Sequence, residues 1–324
     1  MDVYEYYLNG GIIRTTEFQR KGLCEYACNT GLICGHGCSY CSTGAMVRTH
    51  KVFKRLGLSP FERGYAIVDP QTPIRLARDA CRKRKRGLVQ LCTIVDAWSP
   101  EAQQYDLGRK CLQAILAQPG WRIRILTKNT AVRRDFDVIE KHKDRVLLGL
   151  SITAPPDKTD IISIIEPYAS PIQERIEVME EAVSRNFRVY AMFCPILPGI
   201  ADTPEQIDEL IRFAVEWQVE EIFAEAVNPR GRGLIRTQQA LKSAGFHYEA
   251  AHVESIRCKE KWSWYVACLI KKIQYSVGNM YDISKLRFLL YPSRLEERDL
   301  VRIRDDDAGV IWLGKNQVIH RKKA

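Results

Sequence analysis

From about residue 71 the chain repeats one pattern, a short apolar run followed by a longer amphipathic stretch. The runs are "GLVQLCTIVDAW" (87–98), "WRIRILTK" (121–128), "RVLLGLSIT" (145–153), "FRVYAMFCPI" (187–196) and "VEEIFAEAVNP" (219–229). None alternates strictly between apolar and polar residues, which suits strands covered on both faces of a parallel sheet. Stretches such as "SPIQERIEVMEEAVSRN" and "TPEQIDELIRFAVEW" carry helical spacing. Strands separated by helices of about 12–16 residues predict right-handed βαβ units. With "GLCEYACN" (22–29) placed first, six strands are expected. The fold class is therefore α/β, a partial (β/α)6 TIM-like barrel whose chemistry gathers at the C-terminal ends of the strands. The barrel is expected over 1–245, with a lead-in at 1–21 and an insertion at 44–70; residues 246–324 read as a helical, basic extension packed on it.

Composition narrows the class. Hydrophobic residues make up 46% and charged residues 27%, ordinary for a soluble globular chain. No apolar run approaches the ~20 residues a bilayer span needs. The start "MDVYEYYLNGG" has neither a basic segment nor an apolar one, so a cytoplasmic chain with no membrane partner is expected. Eleven cysteines in a reducing compartment point to metal binding rather than crosslinking, because five of them crowd between Cys24 and Cys41. The net charge of +10 is compatible with a polyanionic partner such as nucleic acid. The run "CRKRKRG" (81–87) reads as a solvated cap on the first barrel helix, on the face away from the active site. In the extension, Lys271, Lys272, Lys285, Arg287, Arg294, Arg298, Arg302 and Arg304 interleave with Tyr275, Tyr281, Phe288 and Tyr291, as phosphate contacts and stacking surfaces do. Nothing in the sequence specifies the oligomeric state.

The segment "ICGHGCSYCSTG" (33–44) holds Cys34, Cys38 and Cys41, one ligand short of a closed tetrahedral site. Three thiolates can hold three irons of a [4Fe–4S] cluster and leave the fourth iron open. A zinc site would need Cys24 or Cys28 as its fourth ligand, and a thioredoxin-like site leaves the third cysteine without a role. Cys24 and Cys28, four apart on a strand, share a face; they read as core thiols, or with Cys258 and Cys268 as a second metal site.

The cysteine spacing, with Tyr40 before the last ligand, resembles the cluster motif of radical S-adenosylmethionine (SAM) enzymes. "NTGLICGHGCSYC" (29–41) is similar to the spore photoproduct lyase-like family's motif in Asn29, Cys34, His36, Gly37, Cys38, Tyr40 and Cys41. It departs from that motif at Thr30, Gly31 and Ile33. "IEPYASPIQERIE" (165–177), "ILTKN", "LSIT" and "PILPGIAD" also resemble segments of that family, so the resemblance runs from about 22 to 232.

The resemblance implies a cluster bound by Cys34, Cys38 and Cys41 whose open iron binds SAM. It implies reduction by an electron donor of flavodoxin or ferredoxin type, and SAM cleavage to a 5′-deoxyadenosyl radical. In this reading Lys128 pairs with the SAM carboxylate, Ser151 hydrogen-bonds it and Tyr40 lies over the adenine. Asp96 and Trp98 would face the pocket, Asp96 on ribose or substrate, and Asn228 and Arg230 would face the substrate. Cys92 would return a hydrogen atom to the product radical, or else be a buried apolar residue. His36 would shape its loop, and Glu166 and Arg175 would form a structural ion pair. The lyase resemblance implies a thymine-dimer DNA lesion and DNA repair. Two alternatives stand beside it: a radical SAM enzyme modifying RNA, a peptide or a small molecule, and a non-catalytic zinc- or cluster-containing nucleic-acid-binding protein.

Overall fold

The computed structural model describes residues 1–314. Six parallel strands appear in the expected order: β1 (Tyr26–Cys28), β2 (Leu88–Leu91), β3 (Arg122–Thr127), β4 (Val146–Leu150), β5 (Ala191–Ile196) and β6 (Ile222–Ala226). β5 follows β4 through the short strand Arg188–Val189 and a bridge between Ser151 and Met192. Beyond the expected six, β7 (Leu286–Leu290) pairs with β6, and β8 (Val310–Trp312) pairs with β7, both in parallel. The segment read as an extension thus supplies two strands of the sheet. Among the described residues no pairing joins β8 back to β1, whose outer edge is taken by Ile13–Arg14, so the barrel is partial.

The packing explains the apolar runs. Val89, Leu91, Ile123, Ile125, Leu148, Ala224 and Phe288 are fully buried between the sheet interior and an outer layer of helices. That layer includes α1 (Thr72–Arg82), α2 (Leu107–Leu116), α3 (Phe136–Glu140), α4 (Ile172–Ser184), α5 (Pro204–Glu216), α6 (Gly233–Ser243), α7 (Lys259–Met280) and α8 (Glu297–Arg304). α5 opens with a capping box, in which the Thr203 side chain accepts from the Gln206 amide and Gln206 returns a bond. The insertion is a small subdomain: Tyr65–Val68 pairs with Asp2–Glu5 on one side and Gly31–Ile33 on the other. It covers the chain just before the cysteine segment.

Two charge expectations are settled by placement. "CRKRKRG" begins in the last turn of α1 and leads into the start of β2, at the opposite end of the sheet from the cysteines. The interleaved cations and aromatics of residues 271–304 do not form one surface. Phe288 is core, Lys285 bonds the Val219 carbonyl and Tyr281, and Arg287 reaches Glu221 at the strands' N-terminal ends. The terminal "HRKKA" lies outside the described residues. No helix among the described residues is long and apolar enough to cross a membrane.

Because β7 continues the central sheet, Phe288→Ala is expected to destabilise the whole barrel by about 3–5 kcal/mol. Urea unfolding followed by tryptophan fluorescence should show a lower midpoint; an unchanged midpoint would mean that residues 286–312 are not part of the cooperative core.

Candidate functional site

The cysteine segment leaves β1 and turns across the C-terminal ends of the strands. Asn29 ties this exit to the β2 loop, its Oδ1 accepting from the amides of Thr93 (2.8 Å) and Ile94 (2.9 Å). Gly37 has φ 68°, in the left-handed region that favours glycine, and turns the segment between the first and second thiols. Cys34, Cys38 and Cys41 line one wall of a cavity of about 280 Å³. Burial pushes the Cys38 thiol up to about 12 and raises that of Cys34 as well, with the neighbouring thiols adding to both shifts. Such thiols ionise only when a cation compensates them. No three His, Cys, Asp or Glu side chains among the described residues are gathered closely enough to hold a single ion, as a zinc site requires.

Two buried carboxylates hold this loop on the sheet. Glu166 is inaccessible and accepts from four groups: Tyr40 Oη, Lys128 Nζ (2.9 Å), Thr153 Oγ1 (2.7 Å) and the Arg175 guanidinium. Burial alone would raise its carboxyl, but Arg175 and Lys128 outweigh burial and hold it well below the usual glutamate range. The expected Glu166–Arg175 ion pair is present and is one side of this larger node. Asp96 is the second anchor. It accepts from His36 Nε2 (2.9 Å), the Thr127 hydroxyl (2.8 Å) and the backbone amides of Lys128 (3.0 Å) and Trp98 (2.9 Å). Burial works against its ionisation, yet His36 and these donors lower its pKa. The other ring nitrogen of His36 meets the Tyr168 carbonyl at 3.0 Å, so His36 shapes its loop.

Lys128 follows directly on β3, and its ammonium contacts Ser151 Oγ, Thr153 Oγ1 and Glu166, each at 2.9 Å. It lies 5.6 Å from the Tyr40 ring centroid. Two cations, Lys128 and Arg175, share the single carboxylate of Glu166, so the node keeps a surplus positive charge beside the cavity. Ser151 donates to the Cys194 carbonyl at 2.7 Å.

Cys92 lines the same cavity with its thiol 3.5 Å from Thr30 Oγ1, and burial pushes it up to about 12. Asn228 lines the cavity from the end of β6, while Arg230 is exposed at its mouth, over the Tyr291 ring. Trp98 corrects the sequence expectation. Its indole points away from the cavity, donates to Asp135 at 2.7 Å and packs where Gly108 leaves room; a Cβ there would lie 2.4 Å from the ring. Asp96 borders the cavity, but its oxygens are occupied by protein donors. Cys24 and Cys28 are buried, whereas Cys258 is exposed on the outer helical layer and donates to Glu260.

The radical SAM superfamily model matches residues 28–214, more than half of the chain. The chain belongs to the radical SAM superfamily. ORF301, an uncharacterized protein of Acidianus two-tailed virus, is 29% identical over 217 residues, 64% of this chain and 69% of the relative. The uncharacterized protein Rv2578c of Mycobacterium tuberculosis is 24% identical over 188 residues, 58% of this chain and 54% of that one. Among solved structures, a spore photoproduct lyase variant superposes with a TM-score of 0.53 at 16% identity, covering 74% of this chain and 66% of that chain. Another variant, with bound AdoMet and dinucleoside spore photoproduct, gives 0.52 with the same identity and coverage. The chain thus spans just under two thirds of the lyases and about half of the mycobacterial relative.

Members of this superfamily are enzymes that use an iron–sulfur cluster, SAM and a one-electron reductant. Its donor set fits such a group: three thiols on one wall and a surplus cation on the next. Two arginines absent from the sequence expectations support the loop. Arg63, from the insertion, donates to the carbonyls of Cys38 (3.4 Å) and Cys41 (3.1 Å). Arg236, from α6, donates to those of Ser39 (3.1 Å) and Cys41 (3.0 Å), and burial with Arg63 nearby lowers its pKa to about 10. Their sequence surroundings carry no signal for this role, because the contacts span up to 197 residues.

Glu166→Gln should cost about 3–5 kcal/mol at neutral pH, since it leaves Lys128 and Arg175 without their carboxylate. The folded pKa of Glu166 lies below the ordinary 4.5, so its stabilisation is present above that value and is lost as pH falls below it. Urea midpoints at pH 7 and pH 4 should therefore differ less in the variant than in the parent. Equal stability of the two proteins at pH 7 would contradict the node.

Proposed function

We propose that Cys34, Cys38 and Cys41 hold a [4Fe–4S] cluster with one open iron, and that SAM occupies the cavity between it and Lys128. The observation that carries this is the shared cavity wall: the three thiols, Tyr40, Lys128 and Ser151 all line one space at the strand ends. Such a cluster with SAM bound supplies, on one-electron reduction, methionine and a 5′-deoxyadenosyl radical. The chain's own part is to bind and orient. Lys128, with the surplus charge of its node, pairs with the SAM carboxylate, and Ser151 adds a hydrogen bond. Tyr40, fixed by Glu166, presents its ring beside the adenosyl group. Asp96 acts through His36 and the Lys128 amide, positioning the loop and the lysine rather than touching ribose. The buried walls exclude water from the radical.

Cys92 is the hydrogen-atom donor of this reading: its thiol borders the cavity and, at about 12, stays protonated at neutral pH. The reductant is of flavodoxin or ferredoxin type, and the eleven free thiols suit the reducing cytoplasm. For the substrate we follow the fold neighbours, one of which holds a dinucleoside spore photoproduct, and infer a nucleic-acid-derived molecule acted on by lyase-like chemistry.

Anaerobic reconstitution tests the assignment. The parent protein should bind about four irons and release 5′-deoxyadenosine from SAM under dithionite. Alanine at Cys34, Cys38 or Cys41 should abolish both, whereas Cys92→Ala should keep iron and SAM cleavage and divert the product. A colourless protein holding one zinc would overturn the cluster, and an unchanged product from Cys92→Ala would remove Cys92 from its role.

A further inference from the structure

At the mouth of the cavity, beyond the ends of β6 and β7, two cations meet one aromatic ring and a third lines the same small cavity. Arg230 lies 5.2 Å from the Tyr291 ring centroid, and Lys21, from the lead-in, approaches the same ring at 5.5 Å. Arg294 lines the same small cavity as Arg230 and Tyr291, and its pKa is lowered by burial and by the neighbouring Arg230 charge. Among the described residues none of the three lies within ion-pair distance of a carboxylate, although two carboxylates stand beside them: Glu17 accepts from Tyr291 Oη at 2.7 Å, and Glu225 feels the charges of Lys21 and Arg230. Adjacent like charges repel each other, and an anion bound between them adds to the partial compensation these carboxylates give. The turn that carries Arg230 is itself fixed, since Asn228 Oδ1 accepts from the Arg230 amide at 3.0 Å.

One step further in, the sign of the charge reverses. Glu225 lies on the wall shared by this mouth and the main cavity, where it accepts from the Cys194 thiol at 3.7 Å; burial raises its pKa, and the Lys21 and Arg230 charges work against that rise. The path inward therefore meets cations at the rim and then a carboxylate without an ion pair. An anionic group is attracted to the first position and repelled from the second.

We propose that Arg230, Arg294 and Lys21 form a phosphate-binding site at the cavity mouth that holds the substrate by one phosphate group. Glu225 keeps that group out of the interior, so the uncharged end of the substrate enters toward the radical. This rests on the assignment of the cavity to SAM and substrate. The phosphate belongs either to a small phosphate ester or to a nucleic-acid backbone, and the two sources are separable.

Binding is measured on the anaerobically reconstituted protein with inorganic phosphate by calorimetry and with fluorescein-labelled oligothymidylate by anisotropy across salt concentrations. Phosphate should bind, and the double change Arg230→Ala/Arg294→Ala should weaken it by about tenfold or more. Glu225→Gln should tighten it. A backbone phosphate predicts oligonucleotide binding whose salt slope is shallower in the double variant, by about 0.7 per phosphate that its missing guanidiniums would have neutralised. A small phosphate ester predicts phosphate binding with no such oligonucleotide dependence. Absent phosphate binding, or binding unchanged in the double variant, overturns the site. Release of 5′-deoxyadenosine by the parent protein is scored separately, so failure of the radical assignment is distinguishable from failure of the phosphate site.

Discussion

A single buried carboxylate organises the site. Glu166 is almost fully desolvated, and a lone charge there would be untenable. It is stable because Lys128 and Arg175 oppose it and because Tyr40 and Thr153 complete its hydrogen bonds. Those four partners come from the cysteine loop, the end of β3, the segment after β4 and helix α4. Satisfying one carboxylate therefore sets the relative positions of four elements. The same interaction leaves the Lys128 ammonium directed at the cavity with its charge only partly compensated. Structure and function use one set of contacts here.

Asp96 repeats the logic on the other side of the loop. It joins His36 of the cysteine segment to the Thr127 hydroxyl and the Lys128 amide at the end of β3. Arg63 and Arg236 then take the outward carbonyls of residues 38, 39 and 41. The loop that carries three thiols is thus held by ionic and hydrogen-bonded contacts from several directions, with little regular secondary structure of its own. That arrangement preorganises the thiols, as a cofactor site requires.

Strands β1–β6 were legible in the sequence because each is covered on both faces and reads as an apolar run. β7 was not, because Lys285 precedes it and Arg287 interrupts its apolar residues, so that the segment looks like a basic–aromatic surface. Both cations turn to partners at the N-terminal end of the sheet while Phe288 enters the core. In the site, the cysteine spacing, Tyr40, Lys128 and Ser151 were legible from the motif and from strand-end positions. The reach of Glu166 to Tyr40 was not: the two are 126 residues apart, and no local spacing encodes the contact. Trp98 misled because an aromatic residue at a strand end suggests a pocket wall; the space left by Gly108 and the acceptor on Asp135 draw its indole into the core. Lys21 ends a lead-in with no periodic signal, and only the fold brings it to Tyr291.

Cys34, Cys38 and Cys41 would hold an iron–sulfur cluster in the cavity that Lys128 also lines, with one iron open to SAM. Electron paramagnetic resonance of the dithionite-reduced, reconstituted protein, recorded with and without SAM, tests it most directly. The expected result is the spectrum of a reduced [4Fe–4S] cluster that changes on adding SAM, with the change weakened in Lys128→Met. A cluster spectrum indifferent to SAM, or no cluster spectrum at all, would contradict it.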